Sequence, residues 1–508
     1  MSRPIESILI VGSGLAAWAS AALLARATGG RVAIRVVADA AQPDVDCETT
    51  MASCRPDVLQ VHDSLGIDEV AFMRATSATF KLATEFRDWN SPGKSYLQGF
   101  SDIGARLDAV PFHQLLNRMR LAGESMVSPD EYSLAAVAAR AGRFTHPSTD
   151  KRSIGSTYSY AYHFDVAAAA EYLKSLAQRQ GVRHLQGHVL DVRVREDGHV
   201  QSVKLDSGEQ AGAQLFLDCS GTNSRLLGQA LGVPFDSWQR WLPCDRAVLS
   251  RIPRAGDPAP ATVATARAAG WRLSVPLQGF DLNAFFYASG SGTEDQAAGE
   301  LAGSSGPSGD IRSMAFASGR RREFWVGNCV AIGAAGALVD PLGSTGLQLT
   351  CNAIARLIGL FPHEDCPPAV VSEFNRVTAV EHECARDFAA LHYCTSSRND
   401  SSFWRECRNM CPPEQLEYKL KLFRHSGHLA PFDDELFDAS EWVNALLGQD
   451  VWPMHPYPLT LSLDVRELVT RTGRMHQLMR QAADQMPVHR LYLERLGIAG
   501  HTSGAPRA

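Results

Sequence analysis

The chain has 508 residues, of which 45% are hydrophobic and 20% are charged, a composition that is typical of globular proteins and excludes disordered and fibrous classes. Its formal net charge of −6 argues against a nucleic-acid partner, because binding a phosphate backbone needs a concentrated basic surface. The eleven cysteines include no CxxC pair, and a chain of this length does not need disulfide bonds. We therefore expect reduced thiols and a cytoplasmic protein.

The first elements predict a unit of strand, helix and strand. Residues 7–11 are apolar, Gly12-Ser13-Gly14-Leu15-Ala16-Ala17 follow, a helix continues to about Ala27, and a second strand spans 31–37. A glycine turn at this point exposes backbone N–H groups at a helix N-terminus, which favours a dinucleotide pyrophosphate. Asp39 is the candidate ligand for the ribose. The alternative is a glycine turn in another α/β protein, and the motif does not distinguish NAD from FAD.

The elements that follow are predicted from periodicity. We expect a helix over 162–180, a hairpin over 188–205, a strand over 215–217, a loop over 303–310 and a strand over 324–332. Beyond about residue 367 the pattern is mainly helical. The predicted organisation is an α/β domain over 1–366, a helical part over 367–500 and a flexible tail over 501–508. Glycines interrupt the apolar residues 8–25, so neither a signal peptide nor a membrane partner is expected.

Several further segments, spread over most of the chain, carry a specific resemblance. They are Arg74–Leu82, Phe86–Trp89, Leu217–Gly221, Trp241–Ala247, Trp271–Pro276, Gly319–Arg322, Phe324–Trp325, Gly327–Cys329, Asp340–Gly346 and Phe432–Gln449. In these segments, and in Gly12–Trp18, the chain resembles the flavin-dependent tryptophan halogenase family. These motifs occur along the chain in the same order as in the family.

The resemblance implies a fold and a cofactor. The fold would be α/β, with an FAD-binding Rossmann-like domain of the single-component flavin monooxygenase type and a helical C-terminal part that covers the substrate site. FAD would be used as FADH2, supplied by a separate flavin reductase. In addition to Gly12–Ala17 and Asp39, the residues that would contact FAD are Glu48, Thr49, Val189, Asp218, Gly333 and Leu347.

The resemblance also implies a two-site mechanism. A halide held by Thr345 and Gly346 would be oxidised beside reduced FAD with O2, giving hypohalous acid. This species would pass through the protein to Lys81, which would present it to an aromatic substrate. Ser344 would orient Lys81. An ammonium group favours this chemistry because it can donate a proton to the oxidant.

The chain departs from the family pattern in three places. The motif that separates flavin from substrate contains Trp271, Leu273 and Pro276, so leucine replaces the second tryptophan. Gly343 replaces the glutamate that orients the substrate in tryptophan-acting relatives. The flavin-contacting segment around Glu48 and Thr49 keeps the acid but begins with cysteine instead of glycine.

These departures affect the predicted function more than the predicted fold. The hypothesis is a halogenase of an aromatic compound other than free tryptophan. The alternatives are a flavin monooxygenase that acts on its substrate without halide, and a non-catalytic flavin-binding protein. No metal site is predicted, because a tetrahedral zinc site needs converging ligands and the candidate residues fall on helical patterns, namely His382, Cys384, His392, Cys394, Cys407 and Cys411.

Overall fold

The structure is a computed structural model that describes residues 3–38, 52–254, 256–302, 311–430 and 435–498. Three predicted cofactor residues, Asp39, Glu48 and Thr49, lie outside the described residues. The same is true of the expected loop over 303–310 and of the tail over 501–508.

Strands are concentrated before residue 340. They are β1 (Ser7–Val11), β2 (Ala33–Ala38), β3 (Thr79–Lys81), β4 (Ala83–Arg87), β5 (Ser95–Gly99), β6 (Ala161–His163), β7 (Arg183–Gln186), β8 (Val189–Val194), β9 (Val200–Leu205), β10 (Gln210–Gly212), β11 (Leu215–Asp218), β12 (Phe235–Ser237), β13 (Arg246–Pro253), β14 (Ala261–Arg267), β15 (Gly270–Pro276), β16 (Phe280–Tyr287), β17 (Arg312–Ala315), β18 (Gly319–Arg321), β19 (Trp325–Val326), β20 (Cys329–Ala331) and β21 (Ala337–Leu338).

Helices occur throughout and dominate the C-terminal third, as the sequence pattern predicts. They are α1 (Leu15–Thr28), α2 (Val58–Leu65), α3 (Glu69–Ala75), α4 (Phe112–Leu121), α5 (Leu134–Arg140), α6 (Val166–Arg179), α7 (Glu294–Ala302), α8 (Gly346–Gly359), α9 (Pro368–Cys394), α10 (Ser402–Asn409), α11 (Glu414–Ser426), α12 (Ala439–Gly448), α13 (Val465–Gln485) and α14 (His489–Arg495). Within the described ranges, none of these helices combines the length and apolar character needed to cross a bilayer.

A six-stranded sheet in the order β19–β20–β11–β1–β2–β7 forms the centre of the first core. Strand β1 has a parallel partner on each side, so that Ile10 pairs with Val36 and with Leu217. Strands in such sheets are buried on both faces, which explains the continuous apolar runs of β1 and β11. Ligands bind at the carboxyl ends of these strands. Gly12 and Asp218 lie at that edge.

A seven-stranded sheet in the order β17–β13–β16–β15–β14–β4–β5 supports the second core. Its strands pair antiparallel except for β14 and β4, which are parallel. Side chains of the C-terminal helices, including Phe388 and Trp442, are buried in the same hydrophobic cluster as this sheet. The short strand β3, which carries Lys81, pairs with β6 beside it.

Two predicted elements were wrong in their bounds. The helix expected over 162–180 begins at Val166, because the Asp165 side chain accepts the Ala168 N–H and caps it; Tyr162 instead lies in β6. The strand expected over 324–332 is the antiparallel pair β19 and β20, which turns at Gly327 with φ of +55°. The predicted β1, α1, β2 and the β8–β9 hairpin are confirmed.

A glycine in the middle of α13 gives a prediction about stability. Gly473 has open space around the position that a Cβ atom would occupy, and glycine costs a helix interior roughly 0.5–1 kcal/mol relative to alanine. We expect Gly473→Ala to raise the free energy of unfolding by about that amount, measured by urea denaturation. A decrease would show that α13 is strained at this point.

Candidate active site

One cavity brings together predicted residues from separate segments of the chain. It lies where α1 and α8 both begin, and it is bounded by parts of the nucleotide turn and of the predicted halide site. Its lining includes Leu15, Ala16, Ser53, Phe164, Pro341, Ser344, Thr345, Gly346 and Leu347. Two helix N-termini at one cavity provide unpaired backbone N–H groups and a partial positive charge, an arrangement that stabilises anions.

The glycine turn after β1 is built for close approach of the backbone. A Cβ atom on Gly12 would lie 2.2 Å from the Cys219 carbonyl oxygen, and Gly12 has φ of +147°. Gly14 is the N-cap of α1 and has no side chain to occupy the first turn. Gly333, with φ of +66°, would place a Cβ atom 3.1 Å from the Ala16 Cβ. These glycines leave a narrow cradle that fits a pyrophosphate at the start of α1.

Two other residues that were predicted to contact FAD, Asp218 and Val189, form hydrogen bonds with other residues of the chain. The Asp218 carboxylate is fully buried and accepts hydrogen bonds from the Ser220 N–H and hydroxyl and from the Leu226 and Leu227 N–H groups. Its described partners therefore hold the turn that follows β11. Val189 begins β8, and its carbonyl accepts a hydrogen bond from Arg225. Contact of either residue with FAD stays a prediction.

The predicted halide site lies at the N-terminus of α8. Thr345 is the N-cap of this helix, and its side chain makes no capping hydrogen bond. The Thr345 hydroxyl is buried, and it has no hydrogen-bond partner among the described residues. Gly346 is the first helical residue. An unpartnered hydroxyl beside the free N–H groups of a helix start is a chemically suitable place for an anion.

Lys81 is fully enclosed by protein. Only 1% of its surface is exposed, and its Nζ donates to Ser53 Oγ at 2.9 Å and to Ser344 Oγ at 3.3 Å. The Phe100 ring lies 5.3 Å from the same nitrogen. Burial lowers the pKa of the ammonium to about 7, with a further lowering by Arg55 and an opposing effect of Cys54. The buried ammonium therefore gives up its proton more readily than an exposed lysine does.

Ser344 connects Lys81 to the predicted halide site. It has φ of +53°, a conformation that costs energy for a residue with a side chain. The preceding turn is held by the Asp340 carboxylate, which accepts the Leu342 N–H and the Tyr393 hydroxyl. This conformation places the Ser344 hydroxyl 3.2 Å from Ser53 Oγ. The predicted pairing of Ser344 with Lys81 is present in the structure.

Charged and nucleophilic side chains surround this centre. The Cys54 thiol donates to the Tyr162 carbonyl at 3.2 Å, and burial raises the pKa of the thiol to about 12. Arg55 forms an ion pair with Glu441 of α12 at 2.5 Å, and burial raises the pKa of the Glu441 carboxyl despite this partner. Arg55 thus links the segment that contacts Lys81 to the C-terminal helices.

The predicted barrier residues lie in the second core. Trp271 and Leu273 point to the same face of β15 and are buried, and the Trp271 ring stacks on Phe286 at 4.6 Å. The Pro276 carbonyl, at the end of the strand, accepts a hydrogen bond from Thr79 at 2.5 Å. None of the three borders the cavity at the start of α8 as the described residues form it. Their role as a barrier stays a prediction.

Sequence reasoning missed several residues that contact Lys81 or its partners. Ser53 and Arg55 approach it from the segment before α2 and Phe100 from the residue after β5, and no local motif singles them out. The residues weighed as metal ligands do not converge: within the described ranges no group of three or more His, Cys, Asp or Glu side chains could hold a metal ion. His382 and His392 each bond to a carbonyl of their own helix, α9.

Comparisons with known proteins identify the family of the chain. The model of the tryptophan halogenase family matches residues 7–464. Tryptophan 6-halogenase SttH of Streptomyces toxytricini is 29% identical over 98% of this chain and 99% of its own length. BrvH, a flavin-dependent halogenase from Brevundimonas sp. BAL3, has a TM-score of 0.92 at 34% identity, covering 98% of this chain and 99% of that one.

A second solved structure gives the same result. Xcc4156, a flavin-dependent halogenase from Xanthomonas campestris, has a TM-score of 0.91 at 31% identity and covers 97% of this chain and 99% of that one. These likenesses confirm the expected FAD-binding, Rossmann-like α/β fold. The chain therefore belongs to the tryptophan halogenase family of flavin-dependent halogenases, oxidoreductases that use FAD reduced to FADH2 by a partner reductase.

Proposed function

We propose that this halogenase acts on an electron-rich aromatic compound other than free tryptophan, and that Lys81 activates the halogenating species. The observation that carries the proposal is a buried lysine held by two serines. One of them, Ser344, directly precedes the predicted halide residues Thr345 and Gly346. Family membership gives the reaction class, and the position of Lys81 supports its role in that reaction.

The described residues offer hydrogen-bond donors that would hold the pyrophosphate of FAD and a halide. Bound reduced FAD would supply, with O2 and the halide, hypohalous acid. The turn at Gly12 and Gly14 offers backbone N–H groups to the cofactor pyrophosphate. Leu15, Ala16 and Leu347 line the adjoining cavity with apolar atoms. At the predicted halide site, the unpartnered Thr345 hydroxyl and the N–H groups at the start of α8 offer hydrogen-bond donors to an anion. The first turn of α8 contains no carboxylate that would repel it.

Lys81 can perform both proton transfers of aromatic halogenation. As the halogen bonds to a ring carbon, its bond to oxygen breaks, and the oxygen takes a proton from the Lys81 ammonium and leaves as water. The ring then loses a proton from the attacked carbon to the neutral Lys81 amine, which restores aromaticity and the ammonium. A group with a pKa of about 7 gives and accepts protons with comparable ease near neutral pH.

The substrate class follows from Gly343. A carboxylate at this position would orient a substrate N–H and stabilise the cationic ring intermediate; glycine does neither. A phenol or pyrrole stabilises that cation with its own oxygen or nitrogen lone pair and depends less on a carboxylate. We therefore infer that the preferred substrate is such a ring.

The test combines the full-length protein with a flavin reductase, NADH, FAD and chloride or bromide, and analyses phenols, pyrroles and tryptophan by mass spectrometry. We expect halogenated phenol or pyrrole and little halogenated tryptophan. Efficient halogenation of tryptophan would contradict the substrate class. Hydroxylation without halide would support a monooxygenase, and bound flavin without any product would favour a non-catalytic protein; both results count against the proposal.

Restoring the carboxylate should change both the lysine and the substrate range. A Cβ atom at position 343 would lie 3.3 Å from Thr345 Cγ2 and 3.8 Å from Phe437 Cζ, so the first carbon of a side chain is accommodated if the Thr345 methyl group shifts by a few tenths of an ångström. We expect Gly343→Glu to raise the pKa of Lys81 by roughly 1–3 units, because a nearby negative charge favours the ammonium. We also expect increased halogenation of indoles that carry an N–H group.

Gly343→Gln is the matched control, since it has the same shape without the charge. It should leave the pKa of Lys81 close to that of the wild type. The pKa is read from the Cε resonance of [6-13C]lysine-labelled protein, which is practical because the chain contains only seven lysines. An equal change in both variants would show that volume at position 343, and not charge, acts on Lys81.

A further inference from the structure

The hydrogen bonds at Lys81 continue into the protein interior. Ser53 Oγ lies 3.0 Å from Thr262 Oγ1, and Thr262 Oγ1 lies 2.9 Å from His163 Nε2. His163 Nδ1 is 3.1 Å from Thr79 Oγ1, which bonds to the Pro276 carbonyl. Thr262, His163 and Thr79 are completely buried, each with 0% exposure. Four elements contribute to this network: the segment before α2, β14, β6 and β3.

The hydrogen bond from Thr79 to the Pro276 carbonyl determines which group donates and which accepts in every other bond of the network. A carbonyl oxygen only accepts, so the Thr79 hydroxyl donates its single proton to Pro276 and must accept from His163 Nδ1–H. His163 Nε2 is then the unprotonated nitrogen and accepts the Thr262 hydroxyl. With its proton used, Thr262 accepts the hydroxyl of Ser53. Ser53 therefore presents only lone pairs to Lys81.

We infer that Thr262 and His163 are positioning residues for halogenation, which act by fixing Ser53 as a hydrogen-bond acceptor for Lys81. The inference rests on the role proposed above for Lys81. The Ser344 hydroxyl donates to Ser53 as well and leaves its own lone pairs for the lysine. An ammonium has three N–H groups. Two are held by the serines, and the third has no hydrogen-bond acceptor among the described residues and would be left for the oxidant.

The surroundings of His163 show that it orients and does not store a proton. It faces Lys81, His489 and Arg254, and burial together with these groups lowers its pKa well below the ordinary value. Lys81 itself faces Cys54 and Arg55, the second of which is paired with Glu441. Among the described residues, no carboxylate contacts His163 to stabilise a cation. His163 therefore remains neutral, and the direction of the network is maintained.

Thr262→Val tests the inference because it keeps the shape of the side chain and removes the hydroxyl. The Ser53 hydroxyl would then be free to turn and donate to the neutral Lys81 amine. We expect the pKa of Lys81 to fall by about one unit and the corresponding limb of the pH–rate profile to move to lower pH. We expect kcat to fall about tenfold with an unchanged KM for the aromatic substrate.

Two controls separate positioning from folding. Thr262→Ser keeps the hydroxyl and should retain the wild-type kcat and Lys81 pKa. Thr265→Val makes the same change on the same strand, at a residue outside the network, and should do likewise. If Thr262→Val proves unfolded by thermal denaturation, Ser53→Ala is measured instead and should lower the pKa of Lys81 at least as far.

An unchanged pKa of Lys81 in Thr262→Val overturns the inference, and so does an equal loss of kcat in Thr262→Ser. The pKa is measured by NMR of the lysine Cε and needs no turnover. If the wild-type protein makes no halogenated product, the proposed function fails while the titration still tests the network. If it does and the titration shows no shift, only the network is disproved.

Discussion

Lys81→Met is expected to reduce halogenation by at least about 100-fold while FAD binding persists. Methionine preserves the approximate length of the side chain but removes all three N–H donors and the titrating group. Ser53 and Ser344 would then face an apolar side chain, and no proton donor would remain for the oxidant at this position. The rate is measured by product formation with saturating FADH2, and FAD binding by flavin fluorescence.

Lys419→Met provides the control, because Lys419 is also a buried lysine, with 4% exposure. It pairs with Glu435 and lies 4.4 Å from the Trp442 ring. This variant should lose stability but retain the chemical step in the protein that remains folded. Halogenation by Lys81→Met at the wild-type rate would disprove the proposed role. Loss of FAD binding in that variant would assign the lysine to the cofactor site.

Gly12→Ala is expected to abolish FAD binding and to lower the free energy of unfolding by about 3 kcal/mol or more. The added Cβ atom would lie 2.2 Å from the carbonyl oxygen and 2.6 Å from the carbonyl carbon of Cys219. Both atoms belong to the backbone that continues from β11, so neither can move as a flexible side chain would. This clash could be removed only by moving β1 away from β11 at the edge of the sheet where the cofactor is predicted to bind.

Gly473→Ala serves as the matched control for this variant, since the same change there meets open space. FAD affinity is measured by fluorescence titration and stability by urea denaturation. An unchanged affinity in Gly12→Ala would show that the turn after β1 does not hold the cofactor.

The parts of the fold that were predictable are those specified by local sequence. β1, α1 and β2 follow from an apolar run, a glycine turn and an alanine-rich helix, and the β8–β9 hairpin follows from alternation. The start of α6 was misplaced because apolar residues before Asp165 suit a strand as well as a helix. Periodicity cannot distinguish these two where the run is short.

The candidate site divides in the same way. Lys81, Ser344, Thr345 and Gly346 could be named because they belong to contiguous motifs. Thr262 and His163 could not be found from sequence, because their meeting depends on the pairing of Thr79 with His163 and of Thr262 with Thr84 across separate strands. Asp218 was correctly predicted to lie at a strand end, but its carboxylate accepts hydrogen bonds from four donors in the segment that follows β11.

The protonated state of Cys54 has a consequence for how long the enzyme survives its own oxidant. Sulfur is readily oxidised as a thiolate and much less readily as a thiol. Cys54 lies beside Lys81, where the electrophilic halogen is proposed to react, but the Tyr162 carbonyl accepts its hydrogen and burial raises the pKa of the thiol to about 12. We therefore expect this sulfur to be in its less reactive form, which would slow self-inactivation over repeated turnovers.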